Sequence, residues 1–180
     1  MNGIENLKQF QNGIIPADWL KRLNLNSLLD TMEEQTLPWR QEMANYQCAV
    51  YEEETKFKVL NERMGVKYDG NPIESIKTRV KSMDSIIRKV ERKGLPFSIE
   101  SVEENIRDIA GVRVICSFEE DVFRIADVFL QQDDIELVEG KDYINHPKPN
   151  GYRSLHLIVR TPIFTEVGKK MMYVEVQIRT

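Results

Sequence analysis

The segment Tyr173-Val174-Glu175-Val176-Gln177-Ile178-Arg179 alternates without a break, with Val174, Val176 and Ile178 on one parity and Glu175, Gln177 and Arg179 on the other. Only a strand has a period of two, so this piece has one oily face and one polar face. A lone strand is unstable in water, and its apolar side needs a cover. The chain must therefore build a sheet. Residues 112–117 (VRVICS) are short and β-branched and read as a buried strand, and residues 135–138 read as the next. Between them Val122, Ile125, Ala126, Phe129 and Leu130 repeat at helical spacing, which suggests a βαβ-type start. Residues 152–160 and 172–179 are expected to complete the sheet as an antiparallel pair, joined by a loop holding Pro162 and Gly168.

Helices fill the chain before these strands. Residues 18–35 read as a first helix with Trp19, Leu23, Leu28, Leu29 and Met32 on its apolar side. Pro38 suits the first turn of a second, in which Trp39, Met43, Tyr46, Val50, Phe57, Leu60 and Met64 form one stripe ending at Gly65. The acidic triplet Glu52, Glu53, Glu54 beside it needs only solvation. Gly70, Asn71 and Pro72 mark a linker. Two more helices follow: one has Met83, Ile87 and Val90 opposite Lys81, Ser85, Arg88, Lys89 and Arg92, and a shorter one opens at a Ser101/Glu104 capping box and stops at Gly111. The expected fold is α+β: a mixed four- or five-stranded sheet flanked by helices. Residues 1–69 form an N-terminal helical arm and 70–180 the working domain.

Composition narrows the class. Of 180 residues, 41% are hydrophobic and 30% charged, with 9 Gly and 7 Pro, which excludes a disordered or collagenous chain. No apolar run reaches the roughly 18 residues that span a bilayer, and residues 1–10 lack a signal-peptide pattern, so a cytoplasmic address is expected. Cys48 and Cys116 have no CxxC spacing and are expected to be buried thiols. The formal charge is −4, against a coat for duplex DNA. Residues 77–93 depart from that mean: seven cations (Lys77, Arg79, Lys81, Arg88, Lys89, Arg92, Lys93) face two acids, a net +5 that leaves −9 elsewhere. Such a window suits either a solvated helix face or a small, intensely anionic ligand.

Three further features carry possible chemistry. Asp108 stands just before Gly111 and the first strand, where a carboxylate can reach a sheet edge. Arg113 has the opposite parity to Val112 and Val114, so it must meet solvent, a ligand or a carboxylate; stacking on a nucleobase and pairing with Asp108 or Glu175 both satisfy it. In residues 141–156, Pro147 and Pro149 stiffen the chain around Lys148 and Asn150-Gly151 signals a turn. That loop is either an ordinary hairpin or a clamp offering Lys148 to phosphate and Tyr152 to a base.

Taken together, Arg79-Val80-Lys81 with Ser85 and Lys89, then Asp108-Ile109-Ala110-Gly111-Val112-Arg113, then Asp142-Tyr143-Ile144 with Pro147-Lys148-Pro149-Asn150-Gly151-Tyr152-Arg153-Ser154-Leu155-His156, then Val174-Glu175-Val176-Gln177-Ile178-Arg179 resemble the RelA/SpoT synthetase domain, in the order seen in small alarmone synthetases of the RelQ type. The resemblance covers residues 70–180. It implies a GTP pyrophosphokinase, in which the 3′-hydroxyl of GDP or GTP attacks the β-phosphorus of ATP, takes pyrophosphate and releases AMP. It implies that Arg79 and Arg113 sandwich adenine, and that Lys81, Ser85 and Lys89 hold the ATP phosphates. Asp108 and Glu175 would ligate Mg²⁺, with Glu175 also as general base. Lys141, Lys148, Tyr152, His156 and Gln177 would serve the GDP or GTP, with Tyr152 under the guanine. It further implies a homotetramer, with the alarmone product or single-stranded RNA as effectors, and here without the C-terminal helices that build the family's oligomer. His146 precedes Pro and His156 precedes Leu, so the His-Asp motif of the family's hydrolase domain is missing and product hydrolysis is not expected. Two other readings keep the residues: the same site aimed at the 3′ end of tRNA, and a non-catalytic nucleotide or RNA sensor.

Overall fold

A computed structural model describes residues 25–68 and 70–180. The elements run α1 (Leu25–Tyr68), β1 (Ile73–Val80), α2 (Met83–Lys93), α3 (Ile99–Asn105), β2 (Ala110–Cys116), α4 (Glu119–Leu130), β3 (Glu136–Asp142), β4 (Leu155–Thr165) and β5 (Gly168–Arg179). Gln41–Thr180 make one compact unit, to which the site belongs.

The five strands form one mixed sheet in the order β1-β2-β5-β4-β3. Only β2 and β5 run parallel; the other neighbours are antiparallel. The strands β2 and β3 that flank α4 are thus not adjacent, because the β4–β5 hairpin lies between them. Val174, Val176 and Ile178 are buried on one face with Val112, Val114, Leu157 and Val159. On the helical side, Tyr46, Val50 and Phe57 of α1 and Val122, Ile125 and Phe129 of α4 are buried, and the Phe57 and Phe129 rings stack 4.6 Å apart. Burying each such side chain contributes about 1.5–3 kcal/mol.

Several expectations are corrected. Pro38 lies inside one continuous helix rather than opening a second. Proline deletes one backbone donor, and two residues earlier the Thr36 hydroxyl donates to Met32 O at 2.8 Å. Residues 18–24 of the first expected helix lie outside the described residues. Strand β1 replaces what read as linker and helix approach: IESIKTRV carries few apolar residues because it is an edge strand. Lys81 therefore precedes α2, whose N-cap is Ser82, and α2 buries Ile86 and Val90 rather than Met83 and Ile87. The capping hydroxyl of α3 is Ser98, which accepts from Ser101 N, and the helix stops at Asn105. Pro162 sits within β4, beyond Arg160 where pairing to β3 ends and no partner there needs its missing N–H. Cys48 is exposed; Cys116 is buried. Finally, Glu53 is fully buried, because it occupies the stripe position between Val50 and Phe57 that the apolar pattern skips.

Candidate active site

The register of the sheet assembles the site. Opposed residues on neighbouring strands share a face. Reading across β1, β2, β5, β4 and β3, one row is Arg79, Gly111, Glu175, Ile158, Glu139, and the row beside it is Lys77, Arg113, Gln177, His156, Lys141. Eight of these ten side chains are polar or charged, all opposite the apolar core. The strict alternation of β5 thus extends to a charged surface four further strands wide.

Glu175 stands in the middle strand with its side chain 14% exposed. Its Oε2 accepts from Arg79 Nη2 at 3.2 Å and from Gln177 Nε2 at 2.9 Å, while Oε1 lies 3.8 Å from His156 Nδ1. Arg79 reaches it by crossing β2 at Gly111, where an added Cβ would lie 3.2 Å from Arg79 Nε. Arg113 donates from Nε and Nη2 to Gln177 Oε1 at 3.2 and 3.1 Å. A hollow of about 150 Å³ runs between these groups, lined by Lys77, Arg79, Gly111, Arg113, Glu175 and Gln177.

Asp108 lies in the turn between α3 and β2. Lys89 of α2 donates to it at 2.6 Å, and Lys81 lies 3.4 Å away. Burial pushes its carboxyl up, but the Lys89 hydrogen bond and the two ammonium charges outweigh that and hold it below the usual carboxylate range. A second hollow of about 500 Å³ is lined by Lys89, Lys93, Arg107 and Lys141 together with Glu104, Asp108, Glu139 and Glu175. Four cations face four carboxylates there. Glu175 lines both hollows, so it stands where they meet.

The third part lies between β3 and β4. Gly151 N donates to Lys148 O at 2.8 Å, closing a turn over Pro149-Asn150 with Gly151 at φ +77°. The turn places Lys148 Nζ 4.4 Å from the Tyr143 ring centre and 5.2 Å from that of Tyr152. The Tyr152 hydroxyl is 2.7 Å from His156 Nε2, and Arg179 Cζ stands 5.4 Å from its ring centre. Burial pulls the His156 imidazole below its ordinary range; Glu175 opposes this, and Lys148, Lys141 and Arg113 reinforce it. These surroundings favour the neutral imidazole.

Eleven of the twelve residues singled out in the sequence contribute to this one face or to the Asp108 cluster. Ser85 stands apart from both hollows, in the first turn of α2, where the Ser82 hydroxyl donates to its Oγ at 3.0 Å. The cationic window divides. Lys77, Arg79, Lys81, Lys89 and Lys93 serve the site, whereas Arg88 and Arg92 are exposed on α2 outside both hollows. Arg107 was missed, and Tyr143 and Lys93 were named without a role of their own. The parity of Lys77 with Arg79 could have revealed β1, but the turn that aims Arg107 leaves no periodic signal. Chemically, a cationic hollow and a neighbouring one of mixed charge with four cations, sharing one hydrogen-bonded carboxylate, suit two polyanions and a proton transfer between them.

A family model described as the region found in RelA/SpoT proteins matches residues 78–180. The GTP pyrophosphokinase YwaC of Bacillus subtilis (strain 168) is 41% identical over 157 residues, covering 87% of this chain and 73% of that protein. The crystal structure of small alarmone synthetase 1 from Bacillus subtilis bound to its product pppGpp superimposes with a TM-score of 0.72 at 36% identity, covering 79% of this chain and 72% of that one. The structure of the same synthetase bound to AMPCPP matches with a TM-score of 0.66 at 31% identity, covering 79% of this chain and 70% of that one.

Proposed function

This chain belongs to the RelA/SpoT family, and on that footing we propose that it is a GTP pyrophosphokinase that makes the alarmone (p)ppGpp from ATP and GDP or GTP. The 3′-oxygen of the guanine nucleotide bonds to the β-phosphorus of ATP, the bond from that phosphorus to the α–β bridging oxygen breaks, and AMP leaves. The observation that carries the reading is Glu175, a carboxylate held by Arg79 and Gln177 where two hollows rich in lysine and arginine meet.

The residues have the following proposed roles. Arg79 and Arg113 flank the adenine; Lys81, Ser85 and Lys89 hold the ATP phosphates, with Ser85 beside the N-terminus of α2. Tyr152 carries the guanine, with Lys148 over the rings of Tyr143 and Tyr152, and Lys141, His156 and Gln177 beside the nucleotide. Glu175 takes the proton from the 3′-hydroxyl, a step worth roughly 10²–10⁴-fold in rate. Asp108 and Glu175 line one hollow, and among the described residues no cluster of three or more His, Cys, Asp or Glu could hold a metal unaided. That donor set fits Mg²⁺, which binds through one or two carboxylates with substrate phosphates. When bound, Mg²⁺ supplies charge to the phosphate oxygens as the bond to the leaving group opens.

Residues 70–180 are the proposed synthetase domain and 1–69 its helical arm. A cytoplasmic homotetramer with an alarmone or single-stranded RNA effector completes the reading, to be checked by light scattering with and without each effector. No helix of the described residues is long and apolar enough to cross a membrane. The deciding experiment incubates the protein with labelled ATP and GDP, GTP or deacylated tRNA, with and without Mg²⁺. Label in the guanine nucleotide only when Mg²⁺ is present is the expected result. Label in tRNA points to the alternative acceptor, and no transfer at all points to a sensor.

A further inference from the structure

Gln177 is 8% exposed, and its amide is engaged at both ends. Oε1 accepts from Arg113 Nε and Nη2 at 3.2 and 3.1 Å and lies 3.4 Å from the Tyr152 hydroxyl; Nε2 donates to Glu175 Oε2 at 2.9 Å. Chemistry alone fixes which end is which. A guanidinium offers only donors and an ionised carboxylate only acceptors, so a flipped amide would oppose like groups at both ends. With the amide oriented this way, Glu175 Oε2 is pinned from two sides, by Gln177 and by Arg79. Its Oε1 is left facing the Tyr152 and His156 side, with His156 Nδ1 at 3.8 Å.

We propose that Gln177 is a positioning residue: it clamps one oxygen of Glu175 against Arg113 so that the other oxygen is presented to the incoming acceptor hydroxyl. The inference rests on the pyrophosphokinase reading and departs from the role of nucleotide contact that family resemblance suggests for this position. An amide that holds Arg113 and Glu175 together has one N–H left for a ligand. Its effect is therefore on the orientation of the carboxylate that receives the proton, and so on turnover rather than on affinity. The leverage comes from geometry. Register sets Gln177 beside Arg113 on β2, and β-strand spacing sets it two residues from Glu175 on the same face.

The test is steady-state kinetics of Q177M and Q177E beside the unaltered protein, with ATP and GDP or GTP varied separately. Q177M keeps the volume and removes both amide ends. It is expected to lower kcat about 10- to 100-fold while the KM values for ATP and for the guanine nucleotide stay within about threefold. Q177E keeps an acceptor for Arg113 but sets a second carboxylate against Glu175, and its kcat is expected to fall at least as far. It fits the same space, so it carries the test if Q177M does not fold. Calorimetry with a non-hydrolysable ATP analogue should give a Kd within about threefold of the unaltered protein for each folded variant. A raised acceptor KM at unchanged kcat would make Gln177 a substrate contact and overturn the proposal, as would full turnover in Q177E. Failure of the unaltered protein to label either guanine nucleotide would instead sink the pyrophosphokinase reading itself.

Discussion

Glu53 in the helical core and Glu175 in the charged face are both glutamates withdrawn from water, 0% and 14% exposed respectively, yet their surroundings are opposite. Glu175 is met by a guanidinium, an amide and an imidazole. Both oxygens of Glu53 lack a hydrogen-bond partner, and the nearby Thr161 hydroxyl is also unpaired. Burial pushes the Glu53 carboxyl up to about 7, against the weaker downward pull of Thr161 and Lys56. Asp108 shows the reverse balance, with two lysines overcoming burial. Depth alone therefore does not mark a functional acid. What separates the two regions is whether the fold supplies the ionised form with partners.

The largest effect that bears on this contrast is at Glu175. The E175Q variant should lose about 10³-fold or more in product formation, read by chromatography of labelled nucleotides, while a non-hydrolysable ATP analogue still binds. Near-normal turnover would break the contrast at its functional end. Next comes Glu53. Its proton is held to a higher pH in the folded chain than in the unfolded one, so stability should decline as pH rises from about 4.5 through about 7. The E53Q variant should remove that decline, gaining roughly 3 kcal/mol above pH 7 in denaturant titrations without a change in turnover. Equal pH dependence in both proteins would show that the core tolerates the charge.

Smaller changes sharpen the comparison. The K89M variant leaves Asp108 with Lys81 alone, and the KM for ATP should rise about 10- to 30-fold. The Y152A variant should raise the KM for the guanine nucleotide about tenfold, with the KM for ATP little altered. A rise in both would mean that the two hollows do not divide the substrates as proposed.

How much of this could be read beforehand differs by element. Strand β5 was legible because alternation survives any context, and α4 because its apolar spacing is regular. Strand β1 was not, since an edge strand that lends Lys77 and Arg79 to a ligand face has little apolar residue left to reveal it. Glu53 departs from the expected solvation because it stands on the apolar stripe between Val50 and Phe57, where position outweighs charge. Asp108, Arg113 and Glu175 were legible as candidates from parity and from family likeness. Their partners were not, because Arg79 with Glu175 and Arg113 with Gln177 depend on a register set by five strands together. Arg107 reaches the larger hollow from a turn, which leaves no mark in the order of residues, whereas Lys93 lay within the cationic window.

The crossing of Arg79 over β2 depends on a residue with nothing but hydrogen on its α-carbon. A methyl group at position 111 would meet Arg79 Nε at 3.2 Å and Cγ at 3.4 Å, so the side chain that holds Glu175 would have to give by a few tenths of an ångström. The grip on the central carboxylate is thus set in part by the smallest side chain in its row, and not by the charged groups alone.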